Sequence, residues 1–146
     1  MRILLVCLGN ICRSPVAEAA LRRALASAGL VDVEVDSAGT DVWRPGEAPD
    51  ARMTAAAHEL GLELQGAARQ VAAEDFTTAD LLLAMDRRNL AELRRLAPDD
   101  AARTRVRLYR DDAEVPDPFI GEATFPEVAD IAIRAADTLV ASLRRS

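Results

Sequence analysis

Five residues separate Cys7 from Arg13 in the segment Val6-Cys7-Leu8-Gly9-Asn10-Ile11-Cys12-Arg13-Ser14-Pro15. A thiol can act as a nucleophile, and a guanidinium offers a fork of donors matched to two oxygens of a tetrahedral anion. A loop of this length, running from a strand end into a helix start, can close over such an anion with its N–H groups turned inward. Gly9 allows a backbone conformation that most residues avoid, and Asn10 tolerates left-handed geometry better than most. The positive end of the following helix points at the same spot and favours both a bound phosphate and a thiolate. Cys7 is therefore expected to ionise well below the ~8.5 of a free cysteine. The spacing alone would also fit a buried cysteine near a surface arginine; the β-branched strand before it and Ser-Pro after it favour an anion-binding loop.

The elements that must position this loop alternate in type. Residues 3–6, 31–35, 81–84 and 106–108 read as strands, and residues 15–28, 50–60, 89–96 and 125–143 as helices. Pro15 falls at the first position of the first helix and Gly29 just past its end. Ser37-Ala38-Gly39-Thr40 reads as a turn, residues 44–49 as a Pro/Gly loop and residues 111–121 as a polar loop. The last helix is expected to bury Val128, Ile131, Ala135, Leu139 and Leu143. Strand–helix alternation implies an α/β fold: a four-stranded parallel twisted sheet with helices on both faces, forming one domain over residues 1–146. The phosphate-binding loop follows strand 1, at the carboxyl end where such sheets bind ligands.

Bulk properties narrow the function. Of the 146 residues 50% are hydrophobic and 29% charged, the balance of a folded soluble chain. The net charge of −6, with every one of the 18 basic residues an arginine, does not suit nucleic-acid binding, so any anion site must be local. No apolar run approaches the roughly 20 residues that cross a bilayer, and the short run before Cys7 lacks the cleavage site of a signal peptide. A cytoplasmic protein with no membrane association is expected. In that compartment Cys7 and Cys12, the two cysteines present, point to a reactive thiol rather than a structural disulfide. No His, Cys and carboxylate cluster has metal-ligand spacing, so neither a metal nor another cofactor is expected.

The loop matches almost letter for letter the signature of the low-molecular-weight protein tyrosine phosphatase family, and the resemblance extends over nearly the whole chain. Asp36-Ser37-Ala38-Gly39-Thr40, Ala68-Arg69-Gln70 with Glu74-Asp75-Phe76, Leu83-Ala84-Met85-Asp86 with Asn89-Leu90, and Val115-Pro116-Asp117-Pro118-Phe119 with Gly121 are similar to family motifs in order. The resemblance implies that Cys7 attacks phosphorus to form a phosphocysteine. Arg13 and the amides of Leu8, Gly9, Asn10, Ile11 and Cys12 would hold the phosphoryl oxygens. Ser14 would donate to the thiolate, Asn10 and Ser37 would brace the loop from behind, and Asp117 would be the general acid. Trp43 and Phe119 would wall the pocket, with Leu8 and Ile11 as apolar floor. Such a slot suits the phosphotyrosine of a protein or peptide substrate, bound by a monomer or weak homodimer.

Two positions depart from the family pattern. Gly66 stands where many relatives carry a histidine that supports the loop asparagine, and Phe119-Ile120 stand where two tyrosines often lie. Cys12 reads equally as a resolving thiol and as a small buried filler. His58 reads as structural, and the arginines from Arg94 to Arg110 as a solvated face. A protein-arginine phosphatase on the same scaffold is the nearest rival, although its relatives tend to carry threonine where this loop has Ile11. A thiol-linked arsenate reductase needs further cysteines, and none follows Cys12. A silent phosphopeptide-binding module would have no use for an acid such as Asp117.

Overall fold

In the computed structural model, which describes residues 1–145, the apolar run after Met1 is the central strand of a sheet. Ile3, Leu4, Leu5 and Val6 are all 0% exposed, as an unbroken apolar run requires when helices cover both faces. The elements in chain order are β1 (Arg2–Cys7), α1 (Arg13–Ser27), β2 (Glu34–Gly39), α2 (Ala51–Glu59), α3 (Asp75–Thr78), β3 (Leu81–Ala84), α4 (Arg87–Leu96), α5 (Asp100–Thr104), β4 (Val106–Leu108) and α6 (Phe125–Arg144). All strand pairs are parallel, in the order β2-β1-β3-β4. The period of two along β1 divides the core. Ile3, Leu5 and Cys7 face α1, α2 and α6, while Leu4 and Val6 face Phe76 of α3, Leu93 of α4 and Ala102 of α5. The chain leaves β1 toward β2 on one side and returns to β3 on the other. The carboxyl end of β1, where Cys7 sits, is therefore the point at which the connections diverge and a crevice opens.

The expected α/β fold is the observed one, with three shifts. β2 lies at Glu34–Gly39 rather than residues 31–35, because Arg2 of β1 pairs with Glu34 and the preceding segment turns outward after the left-handed Gly29 (φ 75°). Val31 is 81% exposed in that turn despite its β-branched side chain. Ser37 and Gly39 are consequently strand residues, not turn residues. α1 starts at Arg13, so Pro15 is its third residue and Arg13 and Ser14 belong to the first turn.

The third shift is on α6, which buries Val128, Ala129, Ala132, Ala136 and Val140; of the expected stripe only Val128 is fully buried. Ile131, Ala135, Leu139 and Leu143 are half-buried beside it. The alanine stripe of α6 packs against α1, itself lined by Ala17 and Ala20, and small contact residues permit close approach of two helices. The short helices α3 and α5 fall outside the sequence expectation. No described helix is long and apolar enough to cross a membrane.

Candidate active site

Cys7 ends β1 in the core, with its Sγ 3.0 Å from Ser14 Oγ and 3.3 Å from the Asn10 N–H, which donates to it. The left-handed residue of the loop is Asn10 (φ 57°), not Gly9. Gly9 serves a different need: a Cβ there would lie 2.4 and 2.5 Å from two ring carbons of Trp43, so the missing side chain is what lets the indole lie on the loop. Gly39 does the same from behind, where a Cβ would come within 2.6 Å of the Leu8 carbonyl oxygen.

Asn10 fixes the direction of the hydrogen bonds around the sulfur. Its Nδ2 donates to Ser14 Oγ at 2.8 Å and to Ser37 Oγ at 3.0 Å, and its Oδ1 accepts from the Arg69 N–H at 2.9 Å. An amide nitrogen only donates, so each serine must give its own hydrogen elsewhere. Ser37 gives it to Glu18 Oε1 at 2.6 Å. Ser14 is left facing Cys7 Sγ, its other acceptor, the Ala38 carbonyl, being a long 3.5 Å away. The Asn10 N–H thus points at the sulfur and the Ser14 hydroxyl is placed to donate to it once it is ionised, which is the environment an attacking or departing thiolate needs.

The bracing that Gly66 put in question comes from the main chain of Arg69 and from Glu18, beside a cavity of about 70 Å³ lined by Asn10, Glu18, Ser37, Gly66 and Arg69 among others. Arg69 is itself pinned, with its Nη2 2.9 Å from Asp36 and both terminal nitrogens 3.0 Å from Asp75. Burial pushes the Glu18 carboxyl up, against the hydrogen bond from Ser37 and the charge of Arg22, with which it also pairs.

Arg13 is 3% exposed. Its Nη1 donates to Asp86 Oδ2 at 2.8 Å and to the Val115 carbonyl at 3.1 Å, and its Nη2 lies 3.6 Å from Asp117 Oδ2. Burial opposes its charge, but the Cys7 sulfur and the Asp86 and Asp117 carboxylates outweigh that and raise its pKa further. Asp86 also caps α4, accepting from the Asn89 N–H at 2.8 Å through its other oxygen. Asp117 accepts from the Phe119 N–H at 2.9 Å.

Phe119 is 41% exposed and stands edge-on to Phe125, with centroids 5.7 Å apart, and Trp43 is 52% exposed. Both aromatics are thus rim residues beside the loops rather than core fillers. Ile11 is buried and Leu8 half-buried. Cys12 is buried at the N-cap of α1, and burial pushes its thiol far above the ordinary cysteine range. His58 is exposed and paired with Glu63 at 2.8 Å.

Direct contacts therefore tie Ser37, Asn10, Ser14 and Cys7 together and Arg13 to Asp117, with Trp43 lying over Gly9 and Phe119 bonded to Asp117. Sequence reasoning gave no role to Glu18, Arg69, Asp75 or Asp86. The Asp86-Asn89 spacing of a helix cap was a readable signal for the last of these, but its grip on Arg13 was not.

This arrangement has close counterparts. The model of the family described as low molecular weight phosphotyrosine protein phosphatase matches residues 2–146. A low molecular weight protein-tyrosine-phosphatase of Streptomyces coelicolor is 42% identical over 153 residues, covering 98% of this chain and 93% of that protein. A crystal structure of a protein tyrosine phosphatase from Entamoeba histolytica superposes with a TM-score of 0.93 at 35% identity, over 99% of this chain and 97% of that one. The arginine phosphatase YwlE, known from Bacillus subtilis, superposes at 0.91 with 26% identity over 100% of this chain and 97% of that one, in a variant whose active-site serine is phosphorylated. The chain belongs to the low molecular weight phosphotyrosine protein phosphatase family.

Proposed function

We propose that the chain hydrolyses phosphotyrosine in protein or peptide substrates by way of a phosphocysteine on Cys7. The observation that carries this reading is the surround of the sulfur: Ser14 Oγ, which accepts from Asn10 Nδ2, lies 3.0 Å from Cys7 Sγ, where it can donate to a thiolate, while Arg13 lies between the carboxylates of Asp86 and Asp117. The Cys7 thiolate attacks phosphorus in line with the bond to the phenolic oxygen. Arg13 and the loop amides hold the three equatorial oxygens, where charge spreads in the transition state. Asp117 gives its proton to the departing oxygen, whose conjugate acid has a pKa near ~10 and which leaves poorly as phenolate. The Asp117 carboxylate then takes a proton from water as that water attacks phosphorus. The sulfur leaves as thiolate, held by Ser14, and phosphate is released. Every step uses side chains and amides of this chain, with no metal or cofactor.

Trp43 and Phe119 flank the substrate ring, and Leu8 and Ile11 form the apolar floor. The same reading places the enzyme in the cytoplasm, as a monomer or weak homodimer, with no nucleic acid or membrane partner. Hydrolysis of phosphoarginine is the second reading, supported by the likeness to YwlE and opposed by the buried, apolar Ile11. The test is kcat/KM for phosphotyrosine and phosphoarginine peptides side by side, with wild type, Cys7→Ser and Asp117→Asn. Preference for phosphotyrosine, no turnover by Cys7→Ser and a loss of about 10²–10⁴ in Asp117→Asn on phosphotyrosine are expected. Preference for phosphoarginine, or an unimpaired Asp117→Asn enzyme, would overturn it.

A further inference from the structure

We infer that Arg52, in the first turn of α2, is a positioning residue that sets where Asp117 holds its carboxyl relative to the phosphate loop. This rests on Asp117 as the general acid. A continuous chain of contacts links the two loops through Arg52. The Ile11 carbonyl, inside the phosphate loop, accepts from the Asp50 N–H at 2.7 Å. The Asp50 side chain caps α2, accepting from the N–H groups of Arg52 at 2.8 Å and Met53 at 3.3 Å. It also holds the Arg52 guanidinium through two bonds, at 3.3 and 3.1 Å.

So oriented, the guanidinium carbon lies 5.1 Å from the centroid of Phe119 and 4.6 Å from that of Phe125. A cation over aromatic faces at these distances is attracted by the ring quadrupoles. Phe119 in turn donates its N–H to Asp117 Oδ1 at 2.9 Å.

Asp117 is also held directly, by the ion pair of its Oδ2 with Arg13 at 3.6 Å, so the hold through Phe119 acts on its other oxygen. The bonds from Ile120 and Gly121 N–H to the Asp117 carbonyl are internal to its turn, and Ile120 is 80% exposed. The outside hold on Phe119 is the edge of Phe125 and the cation above it. Asp50 is well placed as an anchor. The hydrogen bonds from Arg52 and from the backbone hold its carboxyl below the usual range despite partial burial, so it stays charged against the guanidinium. Displacing a proton donor by about 1 Å can cost on the order of 10²-fold in rate, so a surface arginine acting only through Phe119 can govern the acid step.

The test uses Arg52→Met, Arg52→Lys and Phe119→Leu in the full chain, with kcat/KM measured on two esters. Phenyl phosphate needs protonation of its leaving group, and a dinitrophenyl ester does not. For Arg52→Met a loss of about tenfold on phenyl phosphate and less than about twofold on the activated ester is expected, with Arg52→Lys recovering most of it. Phe119→Leu, which also removes a wall of the substrate slot, should lose activity on both esters but more on phenyl phosphate, and adding Arg52→Met to it should change the ratio of the two losses little. Equal losses on both esters in Arg52→Met, no loss at all, or a loss ratio that multiplies in the double variant would overturn the inference. Asp117→Asn is the control. If it too lacks leaving-group selectivity, the assignment of the acid has failed; if it shows selectivity and Arg52→Met does not, only the role of Arg52 has failed.

Discussion

Replacing Asn10 with alanine removes the piece that directs the whole hydrogen-bond pattern behind Cys7. Three bonds are lost: the buried ones to Ser14 and Ser37 and the partly buried one from the Arg69 N–H. At about 0.5–1.5 kcal/mol net for each, this loss dominates. Asn10 also holds φ 57°, where an alanine Cβ costs about 1 kcal/mol that asparagine partly escapes. Together these predict a destabilisation of about 3–5 kcal/mol. In a domain of this size that lowers the thermal midpoint by about 10–15 °C.

Asn10→Gly separates the two contributions. It loses the same three bonds but accepts the left-handed backbone, so it should be about 1 kcal/mol more stable than Asn10→Ala. Urea unfolding of the three proteins at one pH measures both differences. Turnover should fall in both variants, because Ser14 is then able to rotate its hydrogen away from Cys7. If Asn10→Ala lies within 1 kcal/mol of wild type, or Asn10→Gly is no better than Asn10→Ala, the reasoning is wrong.

Other parts of the structure give sharper local expectations. Tyr109 donates its buried hydroxyl to the Ala132 carbonyl at 2.8 Å, tying the end of β4 to α6, so Tyr109→Phe should cost about 1 kcal/mol in urea unfolding and leave kcat/KM unchanged. Burial works to raise the carboxyl of Asp75, but the bonds from Arg69 and the Ala72 N–H outweigh it and hold it below its ordinary value. A depressed carboxylate adds stability above its unfolded pKa of about 3.9 and loses it as pH falls through the folded value. Wild type should therefore shed stability below about pH 4, and Asp75→Asn, less stable at neutral pH, should show a flatter profile there in thermal melts. Cys12 stays protonated because burial raises its thiol, so iodoacetamide at neutral pH should label Cys7 alone, as peptide mapping would report.

Much of this was legible in the order of residues, and the rest was hidden for identifiable reasons. The run ending at Cys7 reads as a doubly covered strand because every residue from Ile3 to Val6 is apolar, and burial on both faces demands that. The Cys-to-Arg loop is equally plain, since its ligand-holding groups are contiguous. The start of β2 is hidden because Val31 and Val33 resemble a strand locally, whereas pairing with Arg2 decides where the strand starts. The packed stripe of α6 is hidden because its large side chains carry the strongest hydrophobic signal, while the alanines packed toward α1 carry little. Glu18 and Arg69 lie 8 and 59 residues from Asn10 in sequence, and only folding brings their bonds onto Ser37 and Asn10. Gly9 suggests unusual backbone from sequence, whereas its use is room for Trp43, a contact no local pattern encodes.

Catalysis by this chain depends first on the sulfur at the end of β1. Turnover of an aromatic phosphate labelled at phosphorus, quenched rapidly in denaturant and followed by peptide mapping, reports where the phosphoryl group resides. The expected result is label on the peptide that contains Cys7 and nowhere else. Steady hydrolysis with the label on another residue, or on none, would contradict it.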